Sequence, residues 1–193
     1  WQKYEYRWFN RYNKIGSVLR HTNIKPWRGK ESISNKQVLV WAEQGYGDVM
    51  QFSRYLPKLI DLKANITFEV LDSIKTLVET ISNKIEVVSM GKTKKKFDFQ
   101  VPLLSLPLVF KTTLKTIPNK LPYFKIPEKL INQWKKTLGP KKKLRIGLTW
   151  SGNKNYRGDY LRSPKLVKLL PLISNEFDFY CLQKDIRDQD KEE

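Results

Sequence analysis

The strongest constraint on the fold of this chain is an alternation of apolar runs and helical patterns between residues 37 and 103. Four short runs rich in β-branched and aromatic residues predict strands at 37–41, 65–71, 85–90 and 97–103. Between the first three runs, apolar residues recur at helical spacing over 47–62 and 72–82. This order predicts an α/β fold with a largely parallel sheet and helices on its faces.

The segment before this alternation predicts a helix and a linker. Aromatic residues recur at helical spacing over residues 1–12, and the polar stretch that follows, up to residue 35, has turn formers and no periodicity. Within that linker, Trp27 is expected to dock onto a neighbouring element. We therefore assign residues 1–35 to a last helix that packs on a neighbouring element, plus a linker.

A second series of elements follows the first sheet. The pattern predicts a helix at 126–139, a strand at 144–152, a helix at 163–174 and a strand at 177–184. The expected boundaries give a sheet domain at 36–140 and the beginning of a second α/β domain at 141–193. Because two strands do not cover the core of such a domain, and because the chain starts at Trp1, we expect it to be a fragment.

The net charge of +18 raises the question of a nucleic-acid partner. The basic residues are 28 Lys and 9 Arg, and most of the Lys are scattered along the chain. Arg is the residue that makes bidentate contacts with phosphate and guanine, so this composition argues against nucleic acid as the main partner. A Lys-rich solvated surface and attraction to a small phosphorylated ligand remain as alternatives.

The small numbers of Cys and His exclude several other function classes. With one Cys and one His, a disulfide framework, a His/Cys metal cluster and a Cys–His catalytic pair are not expected, and no cofactor is predicted. Ser105 has no His near it in the sequence, which argues against a Ser–His hydrolase and favours core packing. No apolar run approaches the ~18 residues of a membrane helix, so we expect a cytoplasmic protein without a transmembrane segment.

Residues 44–48, "QGYGD", form a glycine-rich junction between the first strand and the helix after it. Such a turn leaves backbone N–H groups open to a negatively charged group, although the spacing matches neither nucleotide-binding fingerprint. Asp48 has two possible roles. It could cap the helix, or it could take a proton from a hydroxyl nucleophile that reaches it from a cleft.

The loop "WSGNKNYRGDYLRS" at 150–163 is the second candidate site. It leaves a predicted strand at its carboxyl end, where open α/β sheets bind their ligands. Ser151, Asn153 and Arg162 offer hydrogen-bond donors, and Lys184 at the end of the next strand would point to the same edge. The alternative is a solvated loop in which Ser163 caps a helix that starts with Pro164.

Several motifs in order along the chain resemble those of one protein group. They are "YEYRW" (4–8), "KPWRGK" (25–30), "VLVWAEQGYGDVMQFSRYLP" (38–57), "FDFQVPLLSLPLVFKTTLKTIP" (97–118), "PYF" (122–124), "RIGLTWSGN" (145–153), "RS" (162–163) and "LQK" (182–184). Together they resemble the glycosyltransferase-like part of bacterial tetratricopeptide-repeat proteins, a group similar to glycosyltransferase family 9, the lipopolysaccharide heptosyltransferases.

This resemblance implies a GT-B fold, with a Rossmann-like acceptor-side domain, the start of a second Rossmann-like domain that binds the donor, and a terminal tetratricopeptide-type helix in front. By motif position it implies that Asp48 is the catalytic base, and that Gln44, Gly45 and Gly47 bind substrate. Donor-binding roles would fall on four further residues, namely Ser151, Asn153, Arg162 and Lys184.

The implied activity is transfer of a hexosyl or heptosyl group from a nucleotide-sugar donor to a hydroxyl of a saccharide or protein acceptor. The rival hypothesis is a non-catalytic binding or scaffold protein, in which a repeat array and a degenerate transferase domain hold a protein partner. The two hypotheses differ in whether a working donor site is present.

Overall fold

The computed structural model describes residues 1–9, 18–43 and 45–191. It contains two compact units, Trp1–Pro127 and Glu128–Glu193. In this division the helix that follows Pro127 belongs to the second unit. Each unit has its own parallel sheet, of four strands in the first and two strands in the second.

The first unit is an α/β domain with helices between its strands. Its strands are β1 (Gln37–Trp41), β2 (Asn65–Val70), β3 (Ile85–Ser89) and β4 (Phe99–Pro102), and its α-helices are α1 (Tyr46–Phe52), α2 (Leu56–Asp61), α3 (Asp72–Glu79) and α4 (Leu106–Val109). The strand order is β3-β2-β1-β4, and all three pairings are parallel. The predicted α/β class and parallel sheet are confirmed, and this order is consistent with a Rossmann-like domain.

The position of β1 in the sheet explains why its apolar run is unbroken. Val40 in β1 lies opposite Phe68 in β2 and Val101 in β4, and all three side chains are buried. A parallel strand covered on both faces needs apolar residues at successive positions, because neither face meets water. The run "QVLVW" therefore marks the middle of the sheet.

The helix predicted over 47–62 is interrupted. A 3₁₀ turn at Ser53–Tyr55 separates α1 from α2. Pro57 lies at the start of α2, where its missing N–H and fixed φ suit the first turn of a new helix. The Val49 carbonyl accepts both the Ser53 N–H and, at 2.6 Å, the Ser53 hydroxyl, at the point where the helix changes pitch.

The segments before β1 lie against the sheet. Gln2–Trp8 is a 3₁₀ helix rather than a regular α-helix, and the rest of the predicted helix, residues 10–12, lies outside the described residues. The prediction that Trp27 docks is confirmed. Its indole is buried, its N–H donates to the Glu31 carbonyl at 3.0 Å, and its ring meets Phe110 edge-on.

The second unit contains α5 (Glu128–Leu138) and two parallel strands, β5 (Leu144–Leu148) and β6 (Phe177–Cys181). The helix predicted at 163–174 is wrong. Its place is taken by two 3₁₀ turns, Leu166–Lys168 and Leu170–Leu172. Pro171 accounts for this, because a proline inside a helix removes one hydrogen bond and clashes with the preceding turn.

Candidate functional site

The order of the strands in the first unit locates the edge at which a ligand would bind. The chain proceeds from β1 outward to β2 and β3 and then returns to place β4 on the other side of β1. Trp41 and Pro102 are paired at the carboxyl ends of β1 and β4. In open α/β sheets the crevice outside such a reversal of strand order is the usual ligand site.

A buried polar cluster lies at this edge and involves a carboxylate that the sequence analysis did not single out. The Glu43 side chain is fully buried. It accepts hydrogen bonds from Arg7 Nε at 2.8 Å and Arg7 Nη2 at 3.1 Å, and from the Leu104 N–H at 3.1 Å. Arg7 Nη2 also donates to Ser105 Oγ at 2.8 Å, and Arg7 Nη1 donates to Glu5 at 2.7 Å. These bonds tie the first nine residues to the turns after β1 and β4.

The electrostatics of this cluster depend on the Arg7 guanidinium. Burial raises the pKa of Glu43, while the hydrogen bonds from Arg7 and the Leu104 N–H act in the opposite direction. The same guanidinium lies over the Tyr4 and Trp8 rings, at 4.5 and 4.2 Å from their centroids. Because so many of its contacts are short and buried, Arg7 holds the amino-terminal helix in one position.

Among the described residues, Ser105 is not paired with the histidine that a Ser–His hydrolase requires. Its hydroxyl lies within 2.8 Å of Arg7 Nη2 and donates to the Glu5 carboxylate at 3.0 Å. The single histidine, His21, is instead paired with Glu69 at 3.0 Å. Ser105 is buried, as expected, but in a polar environment rather than an apolar one.

A second buried carboxylate closes the neighbouring part of the edge. Glu69, at the end of β2, pairs with Arg20 at 3.0 Å and accepts a hydrogen bond from the Gly91 N–H at 3.0 Å. Arg20 also donates to the Ala42 carbonyl at 2.6 Å and lies over the Trp41 ring. Residues 18–24 therefore cover the ends of β1 and β2.

The two glycines of the "QGYGD" turn lie in an open part of this edge. Gly45 has φ −66° and ψ 172°, a conformation that any residue adopts, and Gly47 lies in the first turn of α1. A Cβ added at either position would meet no atom within 4 Å. Neither the backbone conformation nor packing against described residues requires glycine here, so their effect is to keep the surface open. Gln44 lies outside the described residues.

Asp48 stands beside this open surface in the first turn of α1. Gly45 is the residue that precedes the helix, and Asp48 makes no side-chain capping hydrogen bond, so the capping role is not formed. The carboxylate is half-buried and has no hydrogen-bond or ion-pair partner among the described residues. Burial raises its pKa. A carboxylate in this state is suited to accept a proton from a bound hydroxyl.

In the second unit, the loop after β5 is held by Gln183. Its Oε1 accepts hydrogen bonds from Thr149 Oγ1, the Trp150 N–H and the Ser151 N–H at 3.0–3.1 Å, and its Nε2 donates to the Ser151 carbonyl at 3.0 Å. Asp190 adds a second tie, because it accepts from the Trp150 indole N–H at 3.0 Å. Neither residue was identified from the sequence.

Asp159 organises the rest of this loop. Its carboxylate accepts hydrogen bonds from Ser163 Oγ at 2.7 Å, Arg162 Nε at 3.4 Å and the Arg187 guanidinium. The hydrogen bond from Ser163 and those from the two arginines lower the pKa of Asp159. Ser163 also accepts a hydrogen bond from the Gly152 N–H at 2.9 Å, so it stabilises the loop, and the alternative in which it caps a helix is not formed.

The four predicted donor-binding residues have different surroundings. Arg162 pairs with Asp159 and lies over the Tyr156 ring. The Ser151 hydroxyl is buried and has no hydrogen-bond partner among the described residues. Asn153 and Lys184 are exposed, and the Asn153 side chain accepts a hydrogen bond from the Asn155 N–H at 2.9 Å. Ser151 and Arg162 are thus tied to Gln183 and Asp159, although the Arg162 side chain is 53% exposed, whereas Asn153 and Lys184 lie in solvent.

Over 1–9, 18–43 and 45–191, no group of three or more His, Cys, Asp or Glu side chains is arranged to hold a metal ion. In the same part of the chain, none of the helices has the length and apolar character needed to cross a membrane.

Comparison with known proteins adds no relative to this description. No protein-family model, no curated protein and no solved structure matches the chain.

We predict that Arg7→Ala lowers the free energy of unfolding of the first unit by about 3–5 kcal/mol, because it leaves the Glu43 carboxylate buried without its partner. Urea denaturation measures this loss. Arg28→Ala is the matched control, since Arg28 is exposed, and it should stay within about 0.5 kcal/mol of the unchanged chain. Equal effects of the two substitutions would show that the buried pair does not hold the edge together.

Asp48 generates a prediction about pH. Its folded-state pKa lies above the ordinary value of 3.8, so the ionised carboxylate destabilises the folded state. This destabilisation is absent below pH 3.8 and complete above the raised pKa. We expect Asp48→Asn to be more stable than the unchanged chain at neutral pH, with the difference vanishing as the pH falls through this window.

Urea denaturation at a series of pH values measures this difference. Asp190→Asn is a control of opposite sign, because the Trp150 indole and the Leu166 N–H lower the pKa of Asp190. Removing the Asp190 charge should therefore cost stability at neutral pH and little in acid. A stability difference for Asp48→Asn that does not change with pH would contradict the assignment.

Proposed function

We propose that this chain is a glycosyltransferase-like protein that moves a sugar from a nucleotide-sugar donor to an acceptor hydroxyl. One observation carries the proposal. A half-buried carboxylate without a partner among the described residues, Asp48, lies beside an open two-glycine turn at the edge where the strand order reverses. The motif resemblance supports the same role for Asp48, and it extends the proposal to a GT-B arrangement with a tetratricopeptide-type segment at the amino terminus.

The proposed reaction uses Asp48 as a general base. Its carboxylate takes the proton of the acceptor hydroxyl as that oxygen forms a bond to the anomeric carbon of the donor sugar. The bond between the anomeric carbon and the diphosphate oxygen breaks, and the nucleoside diphosphate leaves with the electron pair. The raised pKa of Asp48 brings its proton affinity closer to what this transfer requires.

The loop of the second unit supplies the proposed donor groups. Ser151, Asn153, Arg162 and Lys184 would bind or neutralise the diphosphate, as the resemblance implies. The buried Ser151 hydroxyl, which lacks a partner among the described residues, supports this role because it has a hydrogen bond left to make. Arg162 meets Asp159 through Nε, which leaves its two terminal nitrogens without a hydrogen-bond partner among the described residues and able to donate to a phosphate oxygen.

The alternative, a non-catalytic binding protein, is favoured by one feature of the same loop. The arginines nearest to Asp159, Arg162 and Arg187, both already pair with that carboxylate. If both arginines serve only to hold Asp159, the loop is a closed structural element and no donor is bound. Donor binding therefore separates the two functions.

We predict that at least one nucleotide sugar in a panel of uridine, guanosine, adenosine and cytidine derivatives stabilises the chain, by about 2.7 kcal/mol at a hundredfold excess over its dissociation constant. With that donor and an acceptor present, Asp48→Asn should lower the rate of nucleoside diphosphate release by about 10²–10⁴-fold, because the base is lost. Thermal denaturation and a nucleotide-release assay provide the two measurements.

The matched control is Asp61→Asn, which removes an exposed carboxylate from the end of α2. It should leave both donor binding and turnover unchanged. Turnover retained by Asp48→Asn would remove Asp48 from the mechanism. If no nucleotide sugar in the panel stabilises the chain, the non-catalytic binding protein is favoured instead.

A further inference from the structure

Helix α5 has an apolar face that lies open to solvent. None of its residues is buried. The exposed fractions of Leu130, Ile131 and Trp134 are 43%, 39% and 55%. At the carboxyl end of the helix, Arg145 donates hydrogen bonds to the carbonyls of Leu138 and Gly139 at 2.8 and 2.7 Å. An exposed tryptophan in the middle of such a face needs a partner of some kind.

The apolar residues of α5 form a single stripe. At about 100° per residue, Leu130, Ile131, Trp134 and Leu138 fall within an arc of about 100°. Lys129 and Lys136 lie on the far side of the helix, and Lys135 lies at the border of the stripe. The helix is therefore amphipathic, with a narrow apolar face and a basic polar face.

The charge of this segment is not compensated locally. Between residues 128 and 143 there are six Lys and one acidic residue, Glu128. All six Lys are exposed. The lysine ion pairs of the described residues lie elsewhere, at Lys25, Lys75, Lys95 and Lys191. A surface that combines free positive charge with an apolar stripe is complementary to a partner that is acidic and apolar at once.

We propose that α5 and the adjoining Lys141–Lys143 run bind the surface of an anionic membrane, with the helix in the plane of the interface. An 11-residue helix is too short to span a bilayer, so it would lie on the membrane. Trp134 would sit at the headgroup level with Leu130 and Ile131 directed to the acyl chains, while the lysines meet acidic lipid headgroups.

Other partners use one part of this surface and leave the rest unexplained. A nucleic acid would engage the lysines and leave the apolar stripe in water. An apolar groove of a protein would cover the stripe but gain nothing from six lysines. Membrane contact does not depend on glycosyl transfer, and its test uses no nucleotide sugar, so each can fail alone.

The first test is flotation with vesicles of phosphatidylcholine alone and of phosphatidylcholine mixed with phosphatidylglycerol. The chain should bind only the mixed vesicles, and salt should weaken binding. Replacing Lys135 and Lys136 together by Ala should weaken binding about thirtyfold. The matched control replaces Lys94 and Lys96, which are exposed in the basic run "KTKKK" at 92–96, and should cause little loss.

The second test locates the apolar contact. Lipids brominated on their acyl chains should quench tryptophan fluorescence in the unchanged chain, and Trp134→Phe should still float with vesicles but lose most of this quenching. Trp134→Ser should bind weakly. Both substitutions are at an exposed position, and circular dichroism checks that the fold is kept.

Four results would each overturn the proposal: no flotation with either vesicle, equal losses in the two lysine pairs, quenching that survives in Trp134→Phe, or binding to an arbitrary RNA that competes fully with the mixed vesicles.

Discussion

The ion pair between Arg7 and Glu43 is the interaction on which the carboxyl edge of the first sheet depends. A carboxylate that is fully withdrawn from water is costly unless a cation and further hydrogen bonds meet it, and here Arg7 and the Leu104 N–H do so. Because Arg7 comes from the first 3₁₀ helix and Leu104 from the turn after β4, one buried charge ties three separate segments together. The amino-terminal segment is thereby part of the edge.

That arrangement decides which part of the edge remains available. Segments 1–9 and 18–24 occupy the ends of β1 and β2 through Glu43 and Glu69, and both carboxylates are satisfied. The open surface is the turn at Gly45 and Gly47, where no described atom would meet an added side chain. Asp48 differs from the two glutamates in having no partner among the described residues, and it is this contrast that makes it the candidate for chemistry.

The parts of the fold that local pattern determines were predictable. The run at 37–41 is apolar because β1 lies in the middle of the sheet and is covered on both faces, whereas the edge strand β3 keeps Glu86 exposed. The helix predicted at 163–174 failed because its apolar spacing was given more weight than Pro171, which prevents a regular helix there. The continuous helix at 47–62 failed for a similar reason at Pro57.

The candidate site was predictable only where its residues are neighbours in sequence. The "QGYGD" turn identified Asp48, but no local signal connects Glu43 to Arg7, 36 residues away, or Asp159 to Arg187, 28 residues away. One usable signal was missed, namely an acidic residue directly after an unbroken apolar strand. Such a residue is buried with the strand end and needs a cation from elsewhere in the chain.

Amide hydrogen exchange followed residue by residue tests the central claim, that this edge is closed by buried carboxylates and open at the glycine turn. We expect strong protection at the Leu104 N–H, which donates to Glu43, and at the Ala42 N–H, which donates to the Glu69 carbonyl at 2.8 Å. The Gly47 and Asp48 amides should exchange close to the rate of an unstructured chain. Protection at Gly47 and Asp48 equal to that of β1, or loss of protection at Leu104, would contradict the account.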